Sequence, residues 1–349
     1  MTISEMLHYQ TRNIARRDGV QNGGEAQPRL HTLLARCRLR TARTLLVFVI
    51  FGSATWLCST AFAQTQSQAR EQLLRQLDAG QLQEAVLFGQ QSVGRWPKDP
   101  KFRHYLGVAY FKSGDLKQAQ DQLSHARDLD PKDATVHFDL ALVFLSQHDY
   151  VAAATELEAS NQLDPSKVLG HILLGRAYLN SNRSLQAIDE FKTALKLDPA
   201  VQLGHYHLGF AYGSLGRNNE AIAEYREEMS RSGESPPVVY ELGRSLLELG
   251  QYDAAISNLQ RATQMDVGNA DAWYNLGKAQ LLAGQAASAE TSLRKAVEIK
   301  PDDASSHYQL ARALDKLGRT AEARAERDRF AELKKAERPT AGMATGRDR

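Results

Sequence analysis

The chain has 349 residues, with 43 Lys and Arg against 41 Asp and Glu, a net charge of +2 and two cysteines. Eight of the basic and three of the acidic residues fall within the first 63, leaving 35 basic and 38 acidic in the rest, a balance that excludes the basic footprint of a nucleic-acid binder. Cys37 and Cys58 also lie in that first stretch, so the remainder has neither a disulfide framework nor thiol chemistry.

The amino-terminal segment reads as an export signal. Arg36, Arg38, Arg40 and Arg43 lead into the apolar run 45–51, and the stretch closes on Ala61, Phe62, Ala63 and Gln64. A basic flank, a short apolar core and small residues (Ala61 and Ala63) three and one before a cut at Gln64 describe a secretory signal. Gly52, Ser53, Thr55, Ser59 and Thr60 dilute the apolar stretch, which is marginal for a span of ~20 apolar residues. The basic region before it is longer than export signals usually carry. A true start further downstream and an uncleaved anchor therefore both stay open. Under either reading the arginines favour the cytoplasmic side. The expected location of the rest is periplasmic or otherwise extracytoplasmic, soluble or held by its amino-terminal segment.

After Gln64 a fixed period takes over. Ala85, Ala119, Ala153, Ala187, Ala221, Ala255, Ala289 and Ala323 recur every thirty-four residues. Leu106, Leu140, Leu174, Leu208, Leu242, Leu276 and Leu310 stand thirteen residues before their alanines, each followed by Gly or Ala. Such a period marks stacked supersecondary units. Each unit reads as two helices, 102–112 and 116–129 in the second unit, with Gly114 between them. The turn column runs Gly80, Gly114, His148, Asn182, Gly216, Gly250, Gly284 and Gly318. A helix ending there needs a left-handed residue, which glycine enters freely and which His and Asn tolerate better than most. Second helices stop at Leu129-Asp130-Pro131, Leu163-Asp164-Pro165 and Leu197-Asp198-Pro199, because proline cannot continue the ladder. The small residues of the Gly and Ala columns suit a close crossing of two helices.

These columns resemble the tetratricopeptide repeat (TPR) family. Trp273, Leu276, Gly277, Ala289, Ala296 and Pro301 match its motif in one repeat. Leu174, Gly175, Tyr178, Ala187, Phe191, Ala194 and Pro199 match it in another. The resemblance implies an all-α, right-handed superhelical solenoid of eight 34-residue helix-turn-helix repeats. They start at 66, 100, 134, 168, 202, 236, 270 and 304 and span 66–335, after a leader of residues 1–63 and before a disordered tail, 336–349. The first repeat has Gln72 and Leu73 where leucine and glycine are expected. The last ends in a charged helix that suits a solvated cap. The fifth carries Glu228 in a small-residue column and lacks the Leu-Asp-Pro stop. Ser235 is placed to cap the next helix, with Pro236 in its first turn. A hinge near 230–236 and an ordinary loop variant both fit.

No phosphate-cradling glycine loop, H-E-x-x-H or C-x-x-C occurs. Ser292 and Lys295 have the S-x-x-K spacing of some acyl enzymes without their companion motifs. His137, His171, His205 and His307 share the fourth position of their repeats, occupied by Trp273 in the seventh. Equivalent positions ~10 Å apart do not converge on one zinc ion, so these read as wedges between repeats, with a pH-sensitive stack as the alternative. Asp189, Glu190, Glu227 and Glu228 read as a solvated outer face. No metal, cofactor or catalytic residue is expected, and the chain is read as a non-enzyme.

The resemblance also implies a concave face lined by first helices, chiefly at their second, fifth, ninth and twelfth positions. The candidate partner-binding residues there are Phe111, Phe138, Leu142 and Ile172 in an apolar zone, then Arg176, Tyr206, Phe210, Tyr240, Arg244, Tyr274, Lys278, Tyr308 and Arg312. Aromatic and arginine side chains are enriched where binding energy concentrates. An Arg–Tyr groove suits an extended peptide carrying acidic groups. The carboxylate clamp of chaperone-binding relatives is absent, with no lysine at a fifth position and no asparagine at a ninth. The expected function is a protein-interaction scaffold of the cell envelope, binding a partner peptide or helix for assembly of an envelope or export complex. No nucleic acid is expected, and contact with membrane only through the amino-terminal segment. The alternatives are a glycan or peptidoglycan module using the tyrosines as a ladder, an oligomerising spacer, and seam packing by the fifth-position residues.

Overall fold

The computed structural model describes residues 64–337. The leader with Ala61 and Ala63, and residues 338–349 of the tail, lie outside the described residues. Sixteen helices follow one another among the described residues. They are α1 Gln66–Asp78, α2 Leu82–Arg95, α3 Pro100–Ser113, α4 Leu116–Leu129, α5 Ala134–Ser146, α6 Tyr150–Leu163, α7 Val168–Asn180 and α8 Ser184–Leu197, then α9 Gly204–Ser214, α10 Asn218–Ser232, α11 Pro236–Glu248, α12 Tyr252–Met265, α13 Ala270–Leu282, α14 Ala286–Ile299, α15 Ala304–Lys316 and α16 Thr320–Glu337. None is long and apolar enough to cross a membrane. Two compact units divide between Leu163 and Asp164, the first holding α1–α6 and the second α7–α16. Within each, odd and even helices pair as repeats and each pair packs on the next, an all-α repeat solenoid.

Local chemistry sets the boundaries. Asp99, Asp115, Asp133, Asn269 and Asp303 cap α3, α4, α5, α13 and α15 through side-chain oxygens that accept backbone N–H bonds. Every residue of the turn column is left-handed, His148 and Asn182 included at φ 60° each. The helix crossing explains the small residue beside each column leucine, glycine in five of the seven. A Cβ on Gly175 would meet Phe191 at 2.5 Å, and one on Gly277 would meet Leu293 at 2.5 Å.

The fifth repeat departs from the period. Its first helix starts at Gly204 rather than 202, because Leu203 takes a left-handed φ of 59°, a strain of about 1 kcal/mol for a residue with a Cβ. Gly204 lies so close to Leu195 and Val201 that a Cβ would come within 2.7 Å of both. At the end of the same repeat Gly233 has φ 78° and ψ −173°, a conformation open almost only to glycine. Ser235 occupies the N-cap of α11, but its side chain makes no capping bond.

The histidine column ties the two helices of one repeat together. His137 Nδ1 meets Glu156 at 2.6 Å, His171 meets Glu190 at 2.6 Å, His205 meets Glu224 at 2.7 Å and His307 meets Glu326 at 2.6 Å. Three of the four also donate Nε2–H to the carbonyl six residues back, on Pro131, Pro165 and Pro301. A carbonyl oxygen only accepts, so Nε2 carries a proton and Nδ1 shares one with its carboxylate. The bond to Glu190 holds the His171 imidazole above its ordinary value, as the bond to Glu156 does for His137. Burial alone would raise the Glu156 carboxyl, but bonds from His137 and Arg127 outweigh it and hold it below the usual carboxylate range. Two of the acids assigned to a solvated face are therefore corrected. Glu190 is the partner of His171, and Glu228 is 2% exposed, accepting the Tyr206 N–H at 3.3 Å.

Candidate functional site

In the unit of residues 64–163 the first-helix row is core. Phe111, Phe138 and Leu142 are buried, so a partner finds little of them to touch. Between α3 and α5 lies a buried polar pair, His104 Nε2 against Asp139 at 2.6 Å, each side chain 2% exposed. Ala69, Leu73 and Leu77 pack with Phe102, Tyr105 and Val108 into one cluster, closed by Trp96 stacked on Phe102 at 4.9 Å.

In the unit of residues 164–337 the row begins buried and then opens. Ile172 is buried and Arg176 half-buried. Beyond it Tyr206, Tyr240, Arg244, Tyr274 and Lys278 are half-buried, while Phe210, Tyr308 and Arg312 are exposed. Each comes from the fifth or ninth position of its repeat, on α9, α11, α13 or α15, so the thirty-four-residue period lays them out as a row.

The row is held by partners that the sequence reading missed. Tyr206 lies near Phe210 and Tyr225, with ring centroids 6.4 and 6.1 Å away. Asn275 donates to the Tyr240 hydroxyl at 3.0 Å. The cations already have acceptors. Arg244 donates to Glu241 at 2.8 Å, Lys278 to Glu248 at 3.2 Å and Arg312 to Gln309 at 2.9 Å. Arg312 also lies 6.0 Å from the Tyr308 ring centre, and Tyr308 leans on Phe330 of α16 at 5.4 Å. Glu241 and Glu248 stand three positions before Arg244 and thirty before Lys278, a signal visible as charge alternation on neighbouring first helices.

Burial shapes the electrostatics. It raises the phenols of Tyr206 and Tyr240, the latter to about 12, with Glu241 adding to both. Burial also raises the Glu241 carboxyl against the pull of Arg244. Behind the row, burial together with the Arg176 charge pushes the His207 imidazole down to about 3, and the ring stacks on Phe191 at 5.5 Å. Ser292 and Lys295 do not meet. Ser292 is buried and donates to Gln280, while Lys295 is exposed and pairs with Glu298 at 2.7 Å.

Tetratricopeptide repeat models match residues 172–236 and 240–304, and a second set 76–141 and 280–329. Together they cover more than half of the chain. The chain belongs to the tetratricopeptide repeat family. No curated protein matches it. Among solved structures, it is similar to a chain of the APC/C hetero-tetramer Cut9-Hcn1, at 18% identity and a TM-score of 0.51. The match covers 77% of this chain and 52% of the other, so this chain spans about half of that protein's length. A tetratricopeptide repeat protein from Parabacteroides merdae is similar at 14% identity and a TM-score of 0.52, covering 72% of this chain and 100% of that one. YrrB, described as a TPR protein with an unusual peptide-binding site, is similar at 23% identity and a TM-score of 0.46, over 54% of this chain and 97% of that one. As a TPR protein this chain has a protein-interaction fold, and no enzyme family is among its matches.

Proposed function

We propose that this chain is a non-catalytic scaffold of the cell envelope, binding a peptide or helix of a partner protein along the first-helix row of α9, α11, α13 and α15. One observation carries the reading: partly exposed aromatic and cationic side chains recur at the same two positions of four successive first helices. A preformed row limits the ordering cost of binding, and tyrosine, phenylalanine and arginine suit the centre of an interface. Because Arg244 and Lys278 already face Glu241 and Glu248, the matching partner alternates acidic groups with amides or cations. A uniformly acidic segment would leave those two glutamates opposed. The envelope setting, and a role in assembling an envelope or export complex, rest on the arginine-flanked apolar segment that ends at Ala63.

The test is a crosslinked pull-down from the native host's envelope fraction. One variant combines Phe210→Ala, Lys278→Glu, Tyr308→Ala and Arg312→Glu, and the control is Leu185→Ala on an even helix. The reading expects a partner captured by the wild type and the control and lost by the folded row variant. Equal capture by all three sinks it.

A further inference from the structure

The seventh repeat replaces three residues that the third, fourth and fifth repeats share, and the three positions meet in space. Its fourth position holds Trp273 where four other repeats hold histidine. Its twenty-third holds Ser292 where those repeats hold the partner glutamate. Its eleventh holds Gln280 where the second to fifth repeats hold Tyr110, Phe144, Tyr178 and Tyr212, and the sixth and eighth hold Leu246 and Leu314. With the ion pair and the large aromatic gone, a cleft of about 330 Å³ opens among α12, α13 and α14. That volume is at the lower end of ligand sites.

The cleft has a built floor. The Ser292 hydroxyl donates to Gln280 Oε1 at 2.7 Å, with both side chains only 4% exposed. This bond fixes the Gln280 amide at the cleft floor. The Trp273 indole N–H donates to the Val267 carbonyl at 3.0 Å, which anchors the half-buried ring at the cleft wall. Gln260 and Gln264 from α12 and Thr291 from α14 line the walls, and no lining side chain is ionisable.

That combination selects for chemistry. A charged ligand would lose water there without gaining a counter-charge. A purely apolar ligand would leave the amides and hydroxyls unpaired. A ligand with vicinal hydroxyls and an apolar ring face meets both demands, since amides and hydroxyls each donate and accept and the indole offers a flat apolar plate. We propose that this cleft is a binding site for a neutral saccharide. Its pyranose ring lies on Trp273, and its hydroxyls bond to Gln280, Gln264 and Thr291. The site opens beside the even helices and is separate from the tyrosine row.

The test uses the full chain labelled with 5-fluorotryptophan and titrated with maltotriose, cellotriose and N,N′-diacetylchitobiose. The Trp273 resonance is assigned by Trp273→Phe. The proposal expects that resonance to move saturably with one of these sugars while the Trp96 resonance stays still. Titration calorimetry, which does not need the indole, is expected to show binding weaker by about tenfold or more in the double variant Trp273→His with Ser292→Glu, which rebuilds the tie of the four histidine repeats. Gln280→Tyr, which restores the column aromatic, gives the same readout should the double variant misfold. No shift with any of the three at about 20 mM, or unchanged affinity in the cleft-filling variants, overturns the proposal. A shift of Trp273 by a polar peptide but by no sugar also overturns it, and assigns the cleft to protein docking.

Discussion

The first helices α3 and α5 and those of residues 204–316 carry the same repeat positions, yet one set is core and the other is surface. At the fifth and ninth positions the earlier set has His104, Val108, Phe138 and Leu142, all buried. The later one has Tyr206, Phe210, Tyr240, Arg244, Tyr274, Lys278, Tyr308 and Arg312, half-buried or exposed. Compact apolar side chains close a seam between neighbouring first helices. Longer aromatic and cationic ones lie partly in the same seam and stay partly exposed. A place in the repeat therefore specifies which way a residue points, and side-chain chemistry decides whether a partner can reach it.

The comparison is broken most forcefully by truncation. Phe138→Ala is expected to cost about 3–5 kcal/mol of stability. Phe210→Ala is expected to stay within about 0.5 kcal/mol. Urea unfolding of the two variants measures both, and similar losses would erase the distinction between core and surface rows. The ion pairs sharpen it at the next level. His104→Ala removes the buried contact with Asp139 and is expected to cost about 3 kcal/mol. Arg244→Gln breaks a pair whose guanidinium is one-third exposed and is expected to cost about 1 kcal/mol. Comparable costs would mean that the two pairs share an environment.

The smallest effect is the pH dependence of the histidine ties. A His171 pKa raised above its ordinary 6.5 contributes stability that is fully present below 6.5 and lost as pH rises through the raised value. The gap in urea midpoint between wild type and His171→Gln should therefore be wider near pH 6 than near pH 9. A gap that widens with rising pH would reverse the assignment.

Much of the fold could be read from spacing, since the alanine and turn columns place the helix pairs. His148 and Asn182 in the turn column were correctly legible as left-handed residues. The late start of α9 was not, because a left-handed leucine such as Leu203 carries no sequence mark. The histidine–glutamate ties were legible and missed. Columns four and twenty-three change together, from His171 with Glu190 to Trp273 with Ser292, and pairing the columns would have exposed the link. The candidate row was legible as positions but not as a surface. Arg244 and Lys278 looked like free cations until Glu241 and Glu248 were placed beside them. The burial of Phe111, Phe138, Leu142 and Ile172 depends on how tightly neighbouring helices close, which periodicity does not report.

The central claim is that the partner lies along the first-helix row of residues 204–316. Photo-crosslinking tests it most directly, with a benzophenone amino acid placed singly at Phe210, Tyr308, Val151 and Leu185 of the full chain in its native host. The account predicts one common crosslinked partner from Phe210 and Tyr308 and none of that partner from Val151 or Leu185, exposed on even helices. A partner captured from Val151 or Leu185 and absent from the first-helix positions would contradict it.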